Sequence, residues 1–371
     1  MNVAYFLHDL SDASAARRAQ MLRMGGAQVA LAGFRRSATP VDTLAGLPAC
    51  DLGRSFDGAL AHRAGLVARH AARPGQFRRL LRDADVVLAR NLEMLAIAAA
   101  AQRAHAPGAR LVYECLDIHR LMCAGGFPGA ALRALEGALL RRCSSLLVSA
   151  PAFVSEHFEK RYRELPRLHL VENKLLPVAG RATRPAAGAR PAGPPWRIGW
   201  FGNLRCTRSL EQLQALAREA RGSVEIIIRG RPSPHALPEF ERRIAGLPHV
   251  RYHGPYAPAD LERIYGGVHF VWSVDYTDEG RNSDWLLPNR LYEGGFFNTP
   301  AIAERRKAAG RWLAAKGAGL VVDDPVGDTV RSLRELDWDG YLRLEARTAA
   351  IETRELAFDA PACRELVAAL Q

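Results

Sequence analysis

Residues 283–303 read SDWLLPNRLYEGGFFNTPAIA. Pro288 suits the first turn of a helix, where its missing N–H would have no intrahelical partner anyway. Arg290 and Glu293 stand three apart and therefore share one helix face. The free N–H groups at the start of that helix, with its positive dipole end, attract an anion. Arg290 adds a forked cation that fits phosphate. Glu293, one turn on, can accept hydrogen bonds from a sugar's hydroxyls. Anion site, cation and hydroxyl acceptor in one turn suit a nucleoside diphosphate. The plainer reading is an exposed helix ion pair, worth about 0.2–0.5 kcal/mol. Asn289 before the pair and Thr299-Pro300 after it favour the ligand site.

Around this stretch the second half alternates strands and helices. Strands are predicted at 197–201, 224–228, 250–253, 270–274, 301–303 and 319–322, with helices at 209–220 and 238–244. The first half has the same grammar: strands at 3–7, 29–34, 84–89, 111–113 and 145–149, helices at 12–24, 92–105 and 129–142. Strands alternating with helices mean βαβ units and parallel sheets. The fold expected is α/β, with two Rossmann-like domains facing across a cleft and ligands at the carboxyl ends of the strands. Residues 179–195, AGRATRPAAGARPAGPP, lose all apolar periodicity and read as a linker. The expected domains are 1–178 and 196–354, with a C-terminal helix in 355–371 packing back on the first.

PNRLYEGGFFNTPAIA, residues 288–303, resembles the PNKLxEYxAxGxPVIA signature of GT-B glycosyltransferases, above all glycosyltransferase family 4. The resemblance implies that Glu293 binds the ribose of a donor nucleotide and that Arg290 lies near its diphosphate, with Pro288 and Asn289 in the same turn. IGWFGNLR, residues 198–205, resembles the strand and glycine loop that open the family's C-terminal domain. Gly202, Arg205 and Arg208 are then the implied diphosphate neighbours; read without the family, Gly202 is a turn glycine. Two positions depart from the pattern. The family's second acid, eight residues before the Glu, is here Trp285, and Glu279 and Asp284 miss that spacing. The Gly-rich loop after the first strand is replaced by His8-Asp9-Leu10-Ser11-Asp12.

Glycosyl transfer needs charge stabilised on the departing diphosphate. In an inverting enzyme it also needs a base for the acceptor hydroxyl. Two clusters at strand ends qualify: Glu114-x-x-Asp117-x-His119, and His8-Asp9 with Asp12. Asp117 is placed like the base of inverting bacterial GT-B enzymes. His119 would contact the donor sugar in a retaining one. Asp9 is the second candidate base; helix capping is the plain reading of the His8–Asp12 group. No DxD stands at a strand end, and Asp323-Asp324 reads as a turn. No metal and no cofactor are expected, the cations doing a metal's work.

The formal charge is +12, from 51 Lys+Arg against 39 Asp+Glu. Such a chain attracts polyanions, though a GC-rich genome would also supply arginine. Residues 62–82, HRAGLVARHAARPGQFRRLLR, form a basic amphipathic segment that would suit an anionic membrane or, equally, a solvated helix face. No signal peptide or transmembrane run is read, and six scattered cysteines without CxxC spacing fit a reducing compartment. The expected place is the cytoplasm, with peripheral contact at the inner face of its membrane. A nucleic-acid binder is disfavoured because the positive charge is dispersed. An NAD oxidoreductase is disfavoured because GxGxxG is absent. The expected activity is glycosyl transfer from a nucleotide sugar to a lipid-linked or polysaccharide acceptor in bacterial surface polysaccharide synthesis. A GT-B-fold epimerase or hydrolase is the alternative.

Overall fold

Asn2–Leu7 (β1) carries an unbroken apolar run because both faces of a parallel sheet are covered. Gln28–Arg35 (β2), Thr43–Leu44 (β3), Leu47–Arg54 (β4), Val86–Arg90 (β5), Arg110–Cys115 (β6), Ser145–Val148 (β7) and Arg167–Leu170 (β8) complete its sheet. Their order is β3-β4-β2-β1-β5-β6-β7-β8, parallel throughout except for the β3–β4 hairpin. This computed structural model describes residues 1–56, 58–177, 183–186 and 190–371. It divides into one unit of Met1–Glu172 with Asp359–Gln371 and another of Asn173–Phe358.

In the first unit Asp12 caps the helix Ala13–Met24, its carboxylate accepting from the Ser14 N–H at 3.0 Å. Gly25 ends that helix where a Cβ would stand 2.2 Å from the Cys363 carbonyl oxygen. The missing side chain lets the C-terminal helix Ala360–Ala369 lie against it. Segment 62–82 forms the helix Leu60–Ala71 and a short 3₁₀ turn, Pro74–Phe77. Phe77 and Leu81 are fully buried, the Phe77 ring 5.1 Å from that of Phe6. Those two apolar groups are therefore taken up by the core, which corrects their expected place on a surface-binding face. Arg69, Arg73, Arg78, Arg79 and Arg82 stay exposed, and Arg63 pairs with Glu93. Among the described residues no helix is long and apolar enough to cross a membrane.

The second unit has Trp196–Leu204 (β9), Val224–Pro232 (β10), Val250–Tyr252 (β11), Phe270–Trp272 (β12), Ala301–Glu304 (β13) and Leu320–Val322 (β14). All pairings are parallel, in the order β11-β10-β9-β12-β13-β14. This is the doubly wound order, reversing between β9 and β12. Trp196, Trp200 and Trp272 fill its core, each 1% exposed or less.

The division falls at Glu172/Asn173, ahead of the Pro/Ala-rich stretch expected to be a linker. Of that stretch, 179–182 and 187–189 lie outside the described residues. The described part is fastened to the second unit by two arginines. Arg184 donates to the Ile351 carbonyl at 2.6 Å and the Phe296 carbonyl at 3.2 Å. Buried Arg190 donates to the Val268 carbonyl at 2.8 Å and pairs with Glu345. The expected C-terminal segment 355–371 divides as well: Leu356 sits in the second unit's core, whereas Asp359–Gln371 joins the first.

Candidate active site

In the second unit the sheet reverses between β9 and β12, and a doubly wound sheet binds ligands at the carboxyl ends beside that point. β9 ends in Gly202-Asn203-Leu204, with Arg205 just beyond. Gly202 has φ +109°, and a Cβ on Gly230 would stand 1.8 Å from the Gly202 carbonyl. Gly202 and Gly230 are register partners near the carboxyl ends of β9 and β10, which approach to a distance that only glycine at 230 allows.

Pro288 is the N-cap of the helix Asn289–Phe296, and Asn289 is exposed in its first turn. Arg290 is mostly buried, with Nη2 4.0 Å from Asp275 Oδ1 and a buried Nε that has no protein partner. Glu293 Oε2 accepts from the Tyr265 hydroxyl at 2.7 Å. The two charged residues of this turn therefore pair with Asp275 and Tyr265, not with each other. Burial first, then Glu293, raises the pKa of both Tyr265 and Tyr256. Both phenols stay protonated and able to donate.

Asp275, just past β12, is the residue that sequence reasoning missed. Its Oδ1 accepts from the Thr277 hydroxyl at 2.8 Å and its Oδ2 from the Ser283 hydroxyl. Burial alone would raise its pKa, but Arg290, those two hydroxyls and Arg205 hold it below the ordinary value. It is a carboxylate fixed by two hydroxyls beside the helix's Arg290. Its position directly after a predicted strand was the signal that could have found it. Arg205 is exposed. Arg208 lies 3.9 Å over the Tyr276 ring and pairs with Glu279 at 3.1 Å. Glu279 also binds Arg306 at 2.7 Å. Arg290 therefore lies against a carboxylate, whereas Arg208 is engaged with the loop after β12.

In the first unit the two candidate clusters come apart. Asp9 is buried; its Oδ1 accepts from the N–H groups of Ser11 at 2.8 Å and Arg36 at 3.2 Å, and burial raises its pKa. These bonds tie the loop after β1 to the residues that follow β2. Burial, then Arg90, lowers the His8 pKa to about 3, so the imidazole is neutral. Glu114 is locked among Tyr5, Arg18 and Arg90. His119 caps the short helix Arg120–Cys123, its Nδ1 accepting from the Leu121 N–H at 3.3 Å. Asp117 is exposed on the loop beyond β6. Among the described residues no three His, Cys, Asp or Glu side chains group as metal ligands.

No family model matches the chain. The solved structure of Anabaena HepE (Alr3699) in complex with UDP and glucose aligns with a TM-score of 0.69 at 15% identity, over 99% of this chain and 98% of that one. Sucrose-phosphate synthase from Thermosynechococcus elongatus aligns with a TM-score of 0.66 at 14% identity, over 100% and 94%. The two doubly wound units are thus the Rossmann-like domains of the GT-B fold, the fold of these glycosyltransferases. The succinoglycan biosynthesis protein ExoL of Rhizobium meliloti (strain 1021) is 39% identical over 372 residues, covering 99% of this chain and 92% of that protein. The chain belongs to the ExoL family of succinoglycan biosynthesis proteins.

Proposed function

We propose that this protein transfers a sugar from a nucleoside diphosphate donor to a growing, lipid-linked saccharide during assembly of an exopolysaccharide. One observation carries the reading. At the carboxyl edge of the second sheet, Arg290 points an unpaired Nε from a helix that also holds Glu293 against a tyrosine hydroxyl. A cation with a spare donor beside a carboxylate suits a diphosphate and its pentose. UDP is the first nucleotide to test, since the HepE structure carries it. In a thermal-shift panel of UDP, GDP, ADP and CMP, one nucleotide should raise the melting temperature, because a ligand bound to the native state stabilises it. No shift with any of the four removes the proposal's support. An epimerase or hydrolase of this fold would consume the donor without acceptor, and assays run with and without acceptor separate the two.

Asp117 is the proposed base toward the acceptor hydroxyl. Asp117 is exposed on the loop beyond β6, whereas Asp9 and Glu114 are buried. Asp117→Asn is expected to lower kcat about 10²–10⁴-fold, the usual contribution of a positioned base. Nucleotide affinity should stay within twofold of wild type. An unchanged kcat removes Asp117 from the mechanism.

Membrane contact, if lipid-linked chains are the acceptor, rests on the exposed arginines of segment 62–82. The stretch 58–82 contains no acidic residue. Phe127, 85% exposed on the same unit, offers an apolar group that Phe77 and Leu81 cannot. Basic residues near an anionic surface contribute about 1 kcal/mol each. Arg78→Glu with Arg79→Glu should weaken binding to phosphatidylglycerol-containing vesicles by about 30-fold or more. Equal binding of the variant in co-sedimentation counts against this segment. The reaction would proceed without a metal or cofactor, and transfer should survive treatment with EDTA.

A further inference from the structure

The loop between β12 and the helix Asn289–Phe296 is fastened by a buried cation. Lys307, at the N-cap of the helix Ala308–Lys316, is 3% exposed. Its ammonium donates to the Asp275 carbonyl and lies 3.2 Å from Asp284 Oδ1 and 3.9 Å from Glu304 Oε2. It also stands 4.0 Å over the Tyr276 ring. These partners come from the end of β12, the short helix Asn282–Trp285 and the end of β13. Taking an ammonium out of water costs several kcal/mol, which an apolar side chain of similar volume would avoid. A buried charge with partners on three segments fixes where those segments stand.

What they hold is the neighbourhood of Arg290. Asp275, whose carbonyl Lys307 grips, presents its carboxylate 4.0 Å from Arg290 Nη2. Ser283, next to Lys307's partner Asp284, donates to that same Asp275 carboxylate. Arg290 Nε and Glu304 Oε2 are buried and lack protein hydrogen-bond partners. Buried polar atoms left open in this way call for an absent ligand or water. We propose that Lys307 is a positioning residue for the donor: it ties the loop after β12 to the end of β13, sets Asp275, and through Asp275 aims Arg290 at the diphosphate. The inference rests on the glycosyltransferase reading. It adds a residue that no part of the signature 288–303 contains.

The test is a double-mutant cycle with UDP as the probe. Lys307→Met keeps the side chain's length and loses its charge. It is expected to raise the Kd for UDP about tenfold and, acting through Arg290, to lower kcat, with the acceptor KM unchanged. Arg290→Ala weakens UDP binding as well. The double variant should bind UDP no worse than Arg290→Ala alone, within twofold, because both changes break one linkage. Damage to the fold at large would instead add to the Arg290→Ala loss and would also move the acceptor KM. Asp284→Asn, a milder change to a partner of Lys307, should shift the Kd in the same direction and keeps the test open if Lys307→Met does not fold. Wild-type protein that binds no nucleotide defeats the glycosyltransferase reading itself. Wild-type protein that binds UDP, beside a folded Lys307→Met with an unchanged Kd, an additive double variant or an unmoved Asp284→Asn, overturns the role of Lys307 alone.

Discussion

Glu114→Gln is expected to destabilise the first unit by about 3–5 kcal/mol, the usual cost of removing one partner from a buried ion pair. The carboxylate at the end of β6 is 3% exposed, Arg18 4% and Arg90 1%. Arg18 Nε meets Oε1 at 2.7 Å, Arg90 Nε meets Oε2 at 2.9 Å, and the Tyr5 hydroxyl donates to Oε2. Ser14 Oγ accepts from Arg90 at 2.9 Å and the Val171 carbonyl from Arg18 at 3.2 Å. One carboxylate thus compensates two arginines drawn from β5 and the first helix. Glutamine leaves both cations buried without the carboxylate that pairs them.

Burial alone would raise the Glu114 pKa, but Arg90 and Arg18 hold it down to about 2. In the unfolded chain it should lie near the free value of about 4.3. A carboxylate with a depressed folded pKa stabilises fully above the unfolded value and loses that contribution as pH falls towards the folded one. The wild type should therefore lose stability between about pH 4.3 and 2, and Glu114→Gln should flatten that limb. All six tryptophans belong to the second unit, so their emission does not report this loss. Hydrogen exchange at β1, β5 and β6 does, and unchanged protection there in the variant would sink the estimate.

That cluster shows how far the sequence could be read. Glu114, Asp117 and His119 look like one group because they are close in the chain and follow an apolar strand. A strand sends neighbours to opposite faces, and the chain leaves the sheet after Cys115. Glu114 therefore turns into the core, Asp117 stands on the exposed loop and His119 caps a helix. Arg18 and Arg90, 96 and 24 residues away, carry no local sign of their meeting. Strands with continuous apolar runs, such as β1, β5 and β7, were legible. The β3–β4 hairpin and the edge strand β8 were not, because LPACDLGR and RLHL are half-exposed and lack such runs. The fastening of Arg184 and Arg190 to backbone carbonyls likewise hides inside what composition marks as a linker. The donor helix was legible because its determinants are local: a proline sets its start, and a three-residue spacing sets which side chains share a face. Its supports, Asp275, Tyr265 and Lys307, come from other segments and only the fold assembles them.

Arg290→Ala should cut kcat/KM for the donor by about 10²–10³, as removal of one preorganised donor from a charge-stabilising site does. The form of the loss follows from when each charge is needed. Negative charge grows on the diphosphate as the glycosidic bond breaks, so an arginine there acts more strongly on the transition state than on the bound donor, and the loss should fall largely on kcat. Glu293 would hold hydroxyls whose charge does not change during the reaction. Glu293→Ala should therefore raise the donor KM about 10–100-fold with kcat nearly unchanged, since uniform binding is what it removes. Arg290→Lys should not rescue, because an ammonium has no fork and would not reproduce the spare Nε donor that the guanidinium aims past Asp275. Steady-state kinetics with donor and acceptor varied separately resolve the two patterns. If Arg290→Ala keeps kcat/KM within threefold of wild type, the helix at 289–296 does not carry the leaving group, and the opposite assignment, with Glu293 moving kcat and Arg290 only KM, would exchange their roles.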